Sequence, residues 1–190
     1  AGGIDFLPAF QDMLEAVARC RVPTIASIQG GALGGGLQLA TVCDFRIAAS
    51  DAKLGIPSGR LGILVDLENI RRLVLLVGSA TAKEVLLTAR TFSGAEAAVA
   101  GLVTRHVEAE TLGDEVGSFA ERLAALAPLS LQGSKRAIQL VMDTVGDIRT
   151  NRPNEAAEMD RLVAEAYGSE DLQEGLAAMA EKRPPNFQGR

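Results

Sequence analysis

The chain has no tryptophan, one tyrosine, one histidine and two cysteines among its 190 residues. A single histidine excludes a Cys/His metal cluster at ligand spacing, so no metal is expected. It also leaves a Ser-His-Asp or Cys-His relay without a convincing base, because His106 falls in an apparent strand. Cys20 and Cys43 make no disulfide framework and suit a reducing compartment, so a cytoplasmic location is expected. Basic residues are in deficit: 19 Lys and Arg against 24 Asp and Glu give a net charge of −5. That is too little positive charge to neutralise a nucleic-acid backbone, although a local basic pocket stays open. No uninterrupted apolar run approaches a membrane span, and nothing resembles a signal peptide. Neither nucleic acid nor membrane is an expected partner. An initiating methionine is missing too: the chain opens on Ala1, and further residues are expected to precede it.

What is present fits one soluble globular domain. Hydrophobic residues make up 47% and charged residues 23%, enough apolar mass to bury a core without metals or disulfides. Residues 7–20 space their apolar side chains like an amphipathic helix. Residues 23–28 (PTIASI) read as a buried strand closed by Gly30 and Gly31; 32–42 (ALGGGLQLATV) contain three glycines and run into good helix formers. Short strands are predicted at 45–48 and 53–56. This rhythm of strand, glycine turn, helix and strand belongs to an α/β layer. Residues 67–77 and 81–87 read as two helices separated by Gly78, 94–100 as a short helix stopped by Gly101, and 102–107 as a last strand. Beyond it, 111–126 with a threonine cap, 130–145, 154–167 and 170–181 all read as helices. The expected division is a sheet-bearing core over 1–108 and a helical region over 109–190.

Gly34-Gly35-Gly36 lie between a strand and a helix. Glycine lets the backbone pass close to a ligand, and amides at a helix start are unsatisfied donors at the positive end of the dipole. Taken alone, the same residues read first as a tight turn with close packing. Their spacing is not that of a P-loop, since no Gly-Lys-Ser/Thr follows, nor that of the dinucleotide fingerprint. A second glycine segment, Gly2-Gly3-Ile4-Asp5, could supply another amide, because two donors converging on one oxygen come from separate loops. With His106 set aside, the remaining acid/base candidates are carboxylates.

Residues 28–44, IQGGALGGGLQLATVCD, resemble the signature of the crotonase (enoyl-CoA hydratase/isomerase) family, an apolar strand followed by N-G-x-A-x-G-G-G-x-E-L-x-x-x-C-D. The likeness continues through 48–62, 70–78, 82–92 and 95–107, and 169–187 (SEDLQEGLAAMAEKRPPNF) is similar to the family's ending. The resemblance implies an α/β fold, a crotonase-like spiral of ββα turns with a C-terminal helical trimerisation region. It implies assembly as a homotrimer or dimer of trimers, and an acyl-CoA thioester as ligand, with no cofactor besides the CoA that the substrate carries. In that family two backbone N–H groups polarise the thioester carbonyl; by motif they fall on Gly35 and Gly2, with Gly3, Asp5, Gly34 and Pro57 bordering the same loops. In the family ending, Lys182, beside Arg183, would meet a CoA phosphate, and Phe187 would cover the adenine or pantetheine. Compared with the family, roughly one βαβ portion before Ala1 is not in this chain, and the stretch between Asp5 and Pro23 looks short.

Hydratases of the family use two glutamates to activate water and protonate the substrate. This chain has Gln38 at the first position and Ser58 at the second, and neither exchanges protons unaided near neutral pH. Eight residues after Ser58 stands Asp66, where the family's dienoyl-CoA isomerases and chlorobenzoyl-CoA dehalogenases place a working aspartate. Its apolar neighbours in GILVDL would desolvate the carboxylate and raise its pKa, which suits a proton shuttle. Equally, Asp66 would cap a helix beginning at Leu67, with Glu68 in the first turn as the reserve candidate. Arg60, Arg71 and Arg72 read first as helix-surface ion-pair residues, Arg60 also as a candidate partner for Asp66 or Glu68, while Cys43 and Asp44 read as structural. The expected function is an acyl-CoA-processing enzyme of the hydratase/isomerase class, working through an oxyanion-stabilised enolate with Asp66 moving protons. An acyl-CoA-binding protein that has lost catalysis, and a thioester hydrolase or decarboxylase, are the alternatives.

Overall fold

Strands of two to five residues alternate with glycine turns over the first half of the chain. The computed structural model describes residues 3–145 and 151–189. In chain order its elements are α1 (Gly3–Ala18), β1 (Ile25–Ile28), β2 (Gly31–Leu33), α2 (Gly35–Val42), β3 (Phe45–Ala49) and β4 (Lys53–Gly55). There follow α3 (Leu67–Leu87), β5 (Phe92–Ser93), α4 (Gly94–Val99), β6 (Arg105–Val107), α5 (Leu112–Ala124), α6 (Pro128–Thr144), α7 (Pro153–Gly168) and α8 (Glu170–Glu181). Single 3-10 turns lie at Ser58–Arg60 and Ala109–Thr111.

Successive strands go to two different sheets. The first sheet has the order β1-β3-β6, all parallel; the second has β2-β4-β5, with β2 and β4 parallel and β5 antiparallel. Strand, strand, helix is the repeating ββα turn, so the expected α/β architecture with C-terminal helices is what the chain builds. The core between the layers is closed by Leu37, Ile47, Leu54, Leu73, Val85 and Leu102, all buried. Burying each such side chain stabilises the fold by about 1.5–3 kcal/mol.

Several elements differ from the sequence reading. Gly31, which reads as a turn, opens β2, and β5 is only two residues long. Both strands are too short for a twofold pattern to register. Helix α1 starts at Gly3 rather than residue 7, with Pro8 inside it, where the missing N–H removes one ladder bond. Thr111 does not cap α5: its hydroxyl donates to the Glu108 carbonyl at 3.0 Å within the preceding 3-10 turn. Gly78, at φ 74 and ψ 166, divides α3 into two arms as its residue type predicts.

Three polar clasps hold the layers in place. Asp44 accepts from the Thr24 backbone N–H at 2.7 Å, the Thr24 hydroxyl at 2.9 Å and Lys135 of α6 at 2.6 Å. The buried Arg46 guanidinium donates to the carbonyls of Leu102 (3.0 Å), Ala40 (3.2 Å) and Cys43 (2.7 Å). Arg71 of α3 reaches the Met142 and Val145 carbonyls at 2.9 and 3.3 Å, a cation at the C-terminal end of α6. The later helices fold back on the core: α5 covers β1 and β3, and α7 packs on α1 and α3. Among the described residues no helix is long and apolar enough to cross a membrane.

Candidate active site

The C-terminal ends of the parallel neighbours β2 and β4 open into the two segments that matter most. Leu33 pairs with Gly55, and the Gly34 N–H donates to the Gly55 carbonyl at 2.9 Å. Gly34 then takes φ 55 and ψ −117, a conformation that favours glycine, and this bend sends the chain into α2. The Leu37 and Gln38 amides close the first turn on the Gly34 carbonyl. The Gly35 and Gly36 amides donate to no acceptor among the described residues, and both glycines are exposed. No acidic residue stands in this first turn. A helix start of this kind holds unspent N–H donors at its positive end, a ready seat for a carbonyl oxygen gaining charge. The Phe10 ring of α1 covers it: a Cβ added at Gly35 would lie 3.2 Å from Phe10 Cζ. Phe10 stacks on Phe6 at 5.3 Å, so two aromatic rings wall this end of α2. Gly2 lies outside the described residues, while Gly3 and Asp5 stand in the first turn of α1 rather than in a loop.

Gln38 sits one turn into α2, half-buried. Ser58 begins the 3-10 turn after β4, behind Pro57, and its carbonyl accepts from Leu61 and Ile63 at 3.0 and 3.1 Å. Gln38 and Ser58 therefore flank the strand ends that carry Gly34 and Gly55. Arg60 does not pair with Asp66 or Glu68: it is exposed, and among the described residues its guanidinium makes no hydrogen bond or ion pair, only its backbone N–H donating to the Pro57 carbonyl at 3.0 Å. Glu68 already has its cations, Arg71 at 2.8 Å and Arg72 at 3.2 Å, at helical spacing. It is a structural ion-pair centre, not a free acid.

Asp66 caps α3. Its Oδ1 accepts from the Asn69 N–H at 3.1 Å, and its Oδ2 accepts from Asn69 Nδ2 at 2.6 Å. Asp66 is half-buried, and its carboxylate is held by these amide donors. Arg72 donates to Asn69 Oδ1 at 3.3 Å and to Glu15 of α1 at 2.8 Å. From α7 comes Tyr167, whose phenol is raised above its usual value by burial first and by the charge of Asp66 second. Asn69 and Tyr167 form the part of the site that sequence reasoning misses, while Arg72 takes the ion-pair role expected of it. The spacing of Asn69 from a capping Asp is a weak signal; Tyr167 has none beyond lying just before the terminal motif.

The terminal motif folds against the turn that leads to Asp66. Gly175 of α8 lies so near that a Cβ there would stand 2.7 Å from the Leu61 backbone, and one on Gly62 would stand 2.9 Å from Asp171. Arg183 clamps Glu174 at 2.6 and 2.9 Å, and the Asn186 N–H adds a third donor at 2.7 Å. These donors, Arg183 foremost, hold the Glu174 carboxyl down at about 2. Arg183 is thus spent within the tail, whereas Lys182, left-handed at φ 54, and Phe187 are exposed.

His106 stands on exposed β6 with Nδ1 3.0 Å from the Ser50 hydroxyl, and Glu108 meets Ser50 at 3.2 Å rather than the imidazole. The acid does not orient the histidine, so no nucleophile relay is assembled. Among the described residues no group of His, Cys, Asp and Glu could hold a metal ion. Cys43 is half-buried, and burial pushes its thiol up.

Residues 4–190 match the family described as enoyl-CoA hydratase/isomerase. The mitochondrial methylglutaconyl-CoA hydratase of Rattus norvegicus is 36% identical over 188 residues, covering 97% of this chain and 58% of that protein. The crotonyl-CoA hydratase of Syntrophomonas wolfei is 38% identical over 184 residues, covering 93% and 66%. Among solved structures, methylmalonyl-CoA decarboxylase complexed with 2S-carboxypropyl-CoA superposes with a TM-score of 0.87 at 26% identity, covering 95% of this chain and 68% of that one. Carnitinyl-CoA hydratase from Mycobacterium avium gives 0.76 at 34% identity, covering 90% and 64%. The chain spans 58% of the length of the rat relative.

Proposed function

The chain belongs to the enoyl-CoA hydratase/isomerase family, and from that premise we propose that it binds an acyl-CoA thioester and steadies the enolate-like oxygen of its carbonyl on the Gly35 N–H. The observation that carries this reading is the N–H itself, which begins a helix, is unspent among the described residues and belongs to an exposed glycine. A preset donor of this kind lowers the barrier by about 3 kcal/mol. The second donor is assigned by motif to Gly2. At the other end of the ligand, Lys182 faces a CoA phosphate and Phe187 covers the adenine or pantetheine; their exposure supports that assignment. No cofactor is called for beyond the CoA of the substrate. A trimeric or double-trimeric assembly is supported by the exposed apolar side chains of Leu129, Ile138 and Val141 on α6, and a cytoplasmic location by two free cysteines.

Asp66 is the proton-transferring group in this reading. Gln38 and Ser58 carry no proton that exchanges near neutral pH, so hydration by two glutamates gives way to chemistry that one carboxylate can perform. Double-bond isomerisation fits: a proton leaves one carbon of the acyl chain and returns to another while the oxyanion site holds the dienolate. The test is turnover of a panel of 2-enoyl- and 3-enoyl-CoA thioesters by the full-length protein. Asp66→Asn is expected to lower it by about 10²- to 10⁴-fold while thioester affinity persists in titration calorimetry. Undiminished turnover removes Asp66 from the mechanism.

Decarboxylation is the second reading, favoured by the carboxylate-free positions Gln38 and Ser58 and by the likeness to methylmalonyl-CoA decarboxylase. Loss of carbon dioxide leaves a thioester enolate on the same oxyanion site, and water supplies the proton that completes the product. Carbon dioxide released from methylmalonyl-CoA, with the 2- and 3-enoyl thioesters untouched, selects it. Affinity without turnover of any kind selects an acyl-CoA-binding role instead.

A further inference from the structure

We propose that Asn69, itself held by Arg72, is a positioning residue that fixes the Asp66 carboxylate. The proposal rests on the reading of Asp66 as the proton-transferring group and names the residue through which that group is aimed. Asn69 and Arg46 are the two buried polar side chains among the described residues, and Asn69 is 3% exposed. A buried amide needs partners at both ends. Those of Asn69 are Asp66 Oδ2 at 2.6 Å and Arg72 Nη1 at 3.3 Å. The ionised carboxylate only accepts and the guanidinium only donates, so the orientation of the amide between them is unambiguous.

Capping alone does not require this arrangement. A helix cap uses one side-chain oxygen and one backbone N–H, which Asp66 Oδ1 and the Asn69 N–H at 3.1 Å already supply. The second bond, from side chain to second oxygen, removes the remaining rotation of the carboxylate. Arg72 carries that restraint outward to Glu15 at 2.8 Å and Glu68 at 3.2 Å, so α1 and α3 share in it. Helix α7 packs against α3 and carries Tyr167, whose phenol is raised by burial first and by the charge of Asp66 second. A reacting group held at both oxygens keeps one geometry toward an acyl chain, and a misplacement of about 1 Å can cost on the order of 10²-fold in rate.

Two readouts test it. Tyr167 is the only tyrosine and there is no tryptophan, so the phenolate absorbance of wild type minus Tyr167→Phe reports the charge beside one phenol. In Asp66→Asn the titration midpoint falls, because no negative charge opposes phenolate formation. In Asn69→Ala it moves toward the Asp66→Asn value, because the released carboxylate turns to solvent; a midpoint left at the wild-type value overturns the proposal. The second readout is a double-mutant cycle on the thioester that wild type turns over fastest. Asn69→Ala lowers kcat by about 10²-fold with KM little changed, and adds nothing in an Asp66→Asn background. Equal losses in both backgrounds overturn the proposal and leave Asn69 a purely structural residue. Should Asn69→Ala fail to fold by circular dichroism, Arg72→Lys loosens the same amide and is expected to give the same midpoint shift. If Asp66→Asn leaves turnover intact, the proposed role of Asp66 fails, while the phenolate midpoint still decides whether Asn69 holds the carboxylate.

Discussion

Replacing Gly175 by alanine is expected to pry the last helix from the turn that leads to Asp66. The added methyl would stand 2.7 Å from the Leu61 Cα, carbonyl carbon and oxygen. Non-bonded carbon contacts settle at about 3.5–4.0 Å, so α8 must retreat by roughly 1 Å. It has no easy hinge, since Gly62 meets the Asp171–Leu172 backbone near the start of the same helix. Retreat loosens the packing of Leu172 and Ala178, both buried. Overpacking of this kind costs about 1–3 kcal/mol, and each kcal/mol moves the Tm of a domain this size by about 2–4 °C, so a fall of about 2–12 °C is expected. Thermal unfolding followed by circular dichroism measures it. The control is Gly133→Ala in α6, where a methyl meets open space and better helix propensity should stabilise by about 0.5–1 kcal/mol. If Gly175→Ala proved as stable as wild type while Gly133→Ala rose, the two backbones would not meet as described. Thioester turnover should fall with the Tm, because the 3-10 turn and Asp66 move with Leu61.

Lys182 holds a left-handed conformation that costs a non-glycine residue about 1 kcal/mol, so Lys182→Gly is expected to raise stability by that amount. The same variant should raise KM for CoA thioesters but not for pantetheine thioesters, which lack the phosphates; equal changes for both would remove Lys182 from CoA binding. Glu174 gives a pH dependence. Its folded-state value, about 2, lies below an unfolded value of about 4.3, so its contribution is present above that unfolded value and is lost as pH falls toward 2. Peptic cleavage within residues 183–189 should therefore rise across that window, and a flat profile would contradict the clamp.

Gly34–Gly36 were legible because two independent properties, glycine spacing and the physics of a helix start, point to the same three residues. Asp66 was legible as a cap, since an acidic residue just before an apolar helix has a local cause. Its clamp by Asn69 was not, because it depends on a side-chain rotamer and on an arginine one turn further along. The ion pairs of Glu68 were legible from the cationic side, since Arg71 and Arg72 read as helix-surface ion-pair residues. They stand three and four residues after Glu68, the spacing that closes ion pairs on a helix surface. The influence of Asp66 on Tyr167, second to burial, acts across a gap in sequence that no periodicity bridges. The short strands β2 and β5 owe their existence to neighbours rather than to their own residues.

The buried guanidinium of Arg46 makes α2 electrically lopsided. At the far end of this eight-residue helix the Ala40 and Cys43 carbonyls bind Arg46, which neutralises the negative pole inside the protein. No acidic side chain does the same for the first turn. A carbonyl oxygen arriving at Gly35 therefore meets the positive pole of a helix whose opposite pole has already been quenched.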